Sequence, residues 1–306
     1  MMRIQASLGI ISEDPLLRKD LSIFAERYGF SAQVSIAPQS WKIEDLERYN
    51  QISCWLVDEP FFDLASDELA QYIADLAVPV ILGLEPFSRE HELREREFSL
   101  LIKKLIQHLH PNQSNEVFDI WVLAASLGGP EAVKEFLDAL PQDIPASFLY
   151  AQHLDEVGSK ALADVIGRDA KLPVVAIDGM CELAPGVIYK VPVDSSIDFT
   201  NGVCFKTGSA WQGEYTPSID ELLRRVSFTY GNRANVIVFS GMGEDGADTA
   251  KDLARRGSLV WAQSEHSAVS DMMPKSVIEK RICQRIAAPK DLAMLMTAYY
   301  KNTGIS

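Results

Sequence analysis

Short apolar runs recur along this chain, each followed by a turn and then by a segment whose apolar residues return at helical spacing. In the first third the pattern predicts strands at 8–11, 31–36, 52–57 and 78–82, and helices at 15–28, 64–76 and 90–109. Strands that alternate with helices predict a parallel sheet flanked by helices. A fifth strand in this set is not evident, because Glu85 to Arg96 is mostly polar and charged.

The polar, turn-forming stretch His110-Pro111-Asn112-Gln113-Ser114-Asn115 carries no apolar period and marks a linker, assigned to 110–118. The alternation then restarts. Strands are predicted at 119–125, 147–152, 173–177, 187–191, 234–240 and 258–262, and helices at 130–139, 158–167, 217–230, 246–256 and 289–300. Residues 178–216 read as shorter strands and turns, with antiparallel edge pieces among them. The expected organisation is α/β throughout. A flavodoxin-like βα domain occupies 1–109, and a doubly wound, mostly parallel-sheet domain occupies 119–306.

Composition narrows the function classes. A length of 306 residues suits two domains. The formal net charge of −14 disfavours a nucleic-acid partner, since phosphates are repelled. No apolar run reaches the roughly 18 residues of a membrane span, and the N-terminal residues lack a signal-peptide pattern. The four cysteines, Cys54, Cys181, Cys204 and Cys283, are scattered without metal-ligand spacing. Reduced thiols in a cytoplasmic protein, with no metal and no cofactor, are the expectation.

The most informative stretch is DIWVLAASLGGP (119–130), in which an apolar strand runs into Ser126, then Gly128-Gly129, then Pro130 at the mouth of a helix. A serine there projects from the carboxyl edge of the sheet, where open α/β folds collect ligands. His153 follows the apolar run SFLYAQ and should share that edge. A lone strand-end histidine is commonly a structural residue, but a shared edge with Ser126 favours a base. Asp245 lies in the glycine-punctuated turn GMGEDG before a predicted helix. Capping that helix is the ordinary duty of such an acid, and orienting the base is the catalytic one. Hydroxyl, imidazole and carboxylate on three strand ends make a triad by role. Ser126 and His153 are expected within hydrogen-bond reach. The hydrolase elbow G-x-S-x-G, a phosphate loop and a dinucleotide fingerprint are all absent.

At these residues the chain resembles the chemotaxis receptor methylesterases (CheB-type protein-glutamate methylesterases), which join a response-regulator receiver to a serine-hydrolase domain. The matching pieces are AASLGGP (124–130), AQHL (151–154), LAPGVIYKVP (183–192), PSID (217–220), FSGMGEDGA (239–247) and WAQSEHSAVSDMMP (261–274), in that order. The resemblance implies Ser126 as nucleophile, His153 as general base, Asp245 as its orienter, and the backbone amides of Leu127 and Met242 as oxyanion donors. It implies hydrolysis of glutamate γ-methyl esters on the cytoplasmic domain of chemoreceptors, with receptor glutamines as further substrates and a chemosensory histidine kinase as a further partner. A non-catalytic docking protein of the same pathway is the alternative. Three positions depart from the family pattern: Leu127 replaces a usual Thr, 193–199 lack a usual His, and Met272-Met273-Pro274 replaces Gly-Met-Pro.

The first domain resembles a receiver more loosely. Asp58 stands where the phospho-acceptor would, at the end of the third strand, and Ser12 replaces one acid of the usual pair. The strand-end hydroxyl near Gly83-Leu84 and the Lys-Pro of a fifth strand are missing. A degenerate receiver that docks or gates without being phosphorylated is the expectation.

Overall fold

The computed structural model describes residues 6–40, 46, 49, 51–109, 118–153 and 170–303. The chain divides into two compact units, residues 1–114 with 179–182, and residues 115–178 with 183–306. The expected linker, except residue 118, and the expected helix at 158–167 lie outside the described residues.

In the first unit, β1 (Ser7–Ile11) is followed by α1 (Pro15–Tyr28), β2 (Ser31–Ile36), β3 (Cys54–Asp58), α2 (Phe61–Leu64), α3 (Asp67–Ala74), β4 (Val80–Leu84) and α4 (His91–Leu109). The strands form a parallel sheet in the order β2-β1-β3-β4, consistent with a receiver-like fold. Asp14 starts α1 by accepting from the Leu16 amide at 2.8 Å, and Gly29 ends it in the left-handed conformation. The helix expected at 64–76 is shorter, Asp67–Ala74, because Ser66 caps its start by accepting from Leu69 N, and a separate one-turn helix, Phe61–Leu64, precedes it. No fifth strand follows β4 among the described residues; the chain passes directly to α4.

The chain continues with β5 (Asp119–Ala125), α5 (Gly129–Asp138), β6 (Ala146–Gln152), β7 (Val174–Ala176), β8 (Met180–Glu182, which groups with the first unit), β9 (Ile188–Lys190), β10 (Ile197–Thr200) and β11 (Val203–Lys206). It closes with α6 (Ile219–Tyr230), β12 (Ala234–Val238), α7 (Ala247–Arg255), β13 (Val260–Gln263), α8 (Met272–Glu279), β14 (Arg285–Ala287) and α9 (Pro289–Thr303). The main sheet has the order β14-β13-β12-β5-β6-β9-β7 and all its described pairings are parallel. Away from the main sheet, β10 and β11 pair antiparallel. The expected antiparallel pieces are thus present, and the strands expected at 173–177 and 187–191 join the parallel sheet. Two elements went unread: β14, whose three residues carry no apolar alternation, and α8, whose first turn contains Pro274.

Every residue of β5 and β6 is buried, as a central parallel sheet covered on both faces requires. On one face, Phe136 of α5 packs against Phe239 and Phe148, while Leu292, Met296 and Tyr300 of α9 join the same core. Trp121 and Trp261 meet edge-on at 4.8 Å on adjacent parts of that core. The chain enters the sheet at β5, runs to β6 on one side and returns later to β12 on the other. That makes the β5/β12 boundary the topological switch point, where such sheets open a crevice at their carboxyl ends.

Candidate active site

Ser126 sits at that crevice, one residue beyond β5. Its amide donates to the Ser240 carbonyl beyond β12 at 3.0 Å, lacing the two strand ends together. Gly128, at φ +75°, turns the chain into α5, and a Cβ there would stand 2.5 Å from Val269 Cβ. Only glycine fits this corner. Ala125 pairs with Gln152 across β5 and β6, so the next residues, Ser126 and His153, leave the sheet side by side. The His153 amide accordingly donates to the Ala125 carbonyl at 3.0 Å.

His153 and Asp245 are brought together as expected: Nε2 and Oδ2 are 2.9 Å apart, with side chains 8% and 6% exposed. A ring nitrogen facing a carboxylate carries the proton, which leaves the lone pair on Nδ1. Nδ1 is buried and has no hydrogen-bond partner among the described residues. The expected Ser126–His153 hydrogen bond is therefore not formed. Catalytic hydrogen bonds of this kind are often loose until substrate fills the site.

The helix that serves Asp245 is not the one the sequence suggested. Its own helix, α7, is capped by Gly246 without any side-chain bond. Asp245 instead faces the start of α6, where Oδ2 accepts from the Ile219 amide at 2.7 Å and Oδ1 from the Asp220 amide at 3.0 Å. Ser218 caps the third amide, that of Glu221, at 3.3 Å, so the S-x-x-E start of α6 leaves its first two donors for Asp245. Burial pushes the Asp245 carboxyl up, but the His153 bond and the two amides outweigh it and hold the group below its ordinary value. The carboxylate is thus an anion at a helix N-terminus.

The amides of Leu127 and Met242 donate to no partner among the described residues. Leu127 and Met242 are 55% and 52% exposed, and Val269 on the neighbouring loop and Met272 at the start of α8 are 76% and 49% exposed, so the crevice has an apolar rim. Gly241, before Met242, has Ser126 Cβ 2.8 Å from the position its own Cβ would take.

The sequence reading missed the polar groups that hold these loops. Gln152 is buried; its Nε2 donates to the Ser126 carbonyl at 2.7 Å, and its Oε1 accepts from Tyr150 at 2.8 Å. Ser240 Oγ donates to the Leu127 carbonyl at 2.7 Å and accepts from the Ser270 amide at 3.0 Å, while Gln263 Oε1 accepts from the Ser240 amide at 2.8 Å. A buried glutamine at the end of an apolar strand was the available signal at both positions.

Asp58 ends β3 and is 3% exposed. Its Oδ2 accepts from the Glu13 amide at 2.8 Å, and its Oδ1 has no partner among the described residues. Ser12 Oγ is occupied by the Asp14 amide, and Arg18 donates to the carbonyls of Ser12 and Glu13. Ser12 stands where one acid of a receiver's pair is expected, and among the described residues no hydroxyl and no lysine bonds to Asp58. Among the described residues no cluster of three or more His, Cys, Asp or Glu is placed to hold a metal ion, and no helix is long and apolar enough to cross a membrane.

An open parallel sheet with a serine, a histidine and a carboxylate at its switch point defines a serine-hydrolase-like α/β domain. The model of the CheB methylesterase family matches residues 121–296, and the chain belongs to that family. Curated relatives include protein-glutamate methylesterase/protein-glutamine glutaminase 4 of Myxococcus xanthus (strain DK1622), 33% identical over 60% of this chain and 52% of that protein. Another is protein-glutamate methylesterase FrzG of Myxococcus xanthus, 32% identical over 53% of this chain and 48% of that protein. The chain spans about half the length of the curated relatives it matches. The crystal structure of the Thermotoga maritima CheB methylesterase catalytic domain superposes with a TM-score of 0.55 at 26% identity, covering 59% of this chain and 97% of that one.

Proposed function

We propose that this protein is a serine hydrolase that demethylates glutamate γ-methyl esters on the cytoplasmic part of a chemoreceptor and releases methanol. The observation that carries the reading is the His153–Asp245 pair, 2.9 Å apart, beside Ser126 on one sheet edge. The pair holds one ring nitrogen protonated and leaves the other free.

Ser126 is the nucleophile. As its oxygen attacks the ester carbonyl carbon, its proton passes to His153 Nδ1. Asp245, ionised at the head of α6, favours the imidazolium that results. The carbonyl oxygen becomes an oxyanion, taken up by the amides of Leu127 and Met242, which donate to no partner among the described residues. Collapse of this adduct expels methoxide, which receives the proton from Nδ1 and leaves as methanol. A water molecule, deprotonated by the same nitrogen, then cleaves the acyl-enzyme to the free glutamate and Ser126. A receptor glutamine can follow the same path with ammonia as leaving group, which is the second activity in the names of the relatives.

The first unit fits a degenerate receiver that docks to signalling partners, a chemosensory histidine kinase among them, in the cytoplasm. It does so without a phosphoryl group on Asp58, because the surrounding groups do not supply the chemistry.

Methanol release from membranes carrying radiomethylated receptor tests the catalytic reading. Ser126→Ala should lower turnover by several powers of ten while leaving thermal unfolding unchanged. Ordinary turnover in that variant ends the proposal.

A further inference from the structure

Tyr215 lies on the segment that leads into α6, and its ring is stacked on that of His153. The centroids are 4.6 Å apart and the planes differ by 10°. The same short segment therefore touches both members of the base pair: Tyr215 covers the imidazole face, and Ile219 and Asp220, four and five residues on, hold Asp245 through their amides. Asp245 fixes one edge of the imidazole, but a single hydrogen bond leaves the ring free to rock about that contact. A parallel aromatic face removes the freedom.

The fit is built from both sides. Gly243, at φ +87°, lies against the ring: a Cβ there would stand 2.7 Å from the Tyr215 hydroxyl oxygen. The loop that delivers Asp245 has thus left out a side chain where Tyr215 passes. The hydroxyl itself donates no hydrogen bond among the described residues, so the aromatic face is what the site uses. An aromatic face within about 6 Å of a cation also attracts it. When Ser126 transfers its proton, His153 becomes that cation.

We infer that Tyr215 is a positioning residue of this hydrolase, holding the His153 ring in its catalytic plane and favouring the imidazolium. The inference rests on the Ser126–His153–Asp245 reading and names a role for a residue outside it.

The test compares Tyr215→Phe, Tyr215→Leu and Tyr215→Met in the full chain, with thermal unfolding followed in each. A fluorophosphonate labels an activated serine whatever the natural ester is: the Ser126 oxygen bonds to phosphorus and fluoride leaves. Tyr215→Phe should be labelled at the wild-type rate, while the Leu and Met variants slow by about three- to thirtyfold, the range expected for losing one cation–aromatic contact. On methylated receptor, the loss should fall on kcat with KM little changed. Wild-type labelling in both Leu and Met variants overturns the inference. So does a Phe variant as slow as the Leu variant, or absence of labelling in the wild type. Brisk, Tyr215-dependent labelling in a protein that releases no methanol from receptor upholds the role of Tyr215 and removes only the proposed substrate.

Discussion

Asp245 and Ser218 divide the free amides at the start of α6 between them. Asp245 takes those of Ile219 and Asp220 at 2.7 and 3.0 Å, and Ser218 takes that of Glu221 at 3.3 Å. The carboxylate proposed to orient His153 is therefore also a structural cap, and its two duties can be separated by experiment.

Asp245→Asn keeps the shape of the side chain and removes its charge. Steady-state methanol release should fall by about 10⁴-fold, the loss seen when a serine hydrolase's orienting carboxylate becomes an amide. Urea unfolding should show a cost of about 1–3 kcal/mol, because helix amides lose a charged acceptor. A variant that loses stability but keeps turnover would contradict the assigned role.

Acid should expose the same carboxylate. Its value in the folded state lies below that of the unfolded chain, about 3.9 for a free Asp. Its contribution to stability is therefore complete above the unfolded value and is lost as pH falls through the folded one. The difference in urea midpoint between wild type and Asp245→Asn should stay constant at neutral pH and shrink below about pH 4. A difference that does not change across that range would show that the carboxylate is not held in its charged form.

Gly241→Ala should cripple the site without unfolding it. The new Cβ would meet Met273 Sδ at 2.1 Å and Ser126 Cβ at 2.8 Å. The thioether can swing away, but Ser126 is anchored through Ser240 and Gln152 and must move. Misplacement by about 1 Å costs on the order of 100-fold in rate. Adding Met273→Ala relieves one clash and not the other, so kcat should remain low in the double variant. Full recovery there would place the damage at Met273 instead.

Acetyl phosphate with Mg²⁺ should leave the wild-type chain unlabelled, and Asp58→Asn should not change that result. One Asp58 oxygen is already engaged by the Glu13 amide, and among the described residues no lysine bonds to Asp58. Acid-labile phosphate on the wild type, absent from Asp58→Asn, would refute the degenerate-receiver reading.

The sequence was legible wherever function coincides with a break in hydrophobic pattern. Ser126 and His153 are polar residues directly after mainly apolar strands, and both stand where that break put them. Asp245 was also found, but its helix was misread, because the turn before α7 looks like a cap and α6 begins 26 residues earlier in the chain. Tyr215 was invisible for a related reason: a single aromatic in a polar loop shows nothing until folding lays it on His153. Strand boundaries slipped by about two residues. β3 ends on Asp58, as expected, but begins at Cys54 rather than 52; the Asp58 carboxylate faces inward and accepts a backbone amide. β4 lies at Val80–Leu84 rather than 78–82.

The switch point has a consequence for the order in which this protein becomes competent during synthesis. Ser126 emerges from the ribosome early, yet its amide is anchored by Ser240, whose own amide waits for Gln263 from a strand made later still. Half-made chains thus carry Ser126 without its scaffold, and the proposed esterase site is complete only when the last third of the polypeptide has joined the sheet.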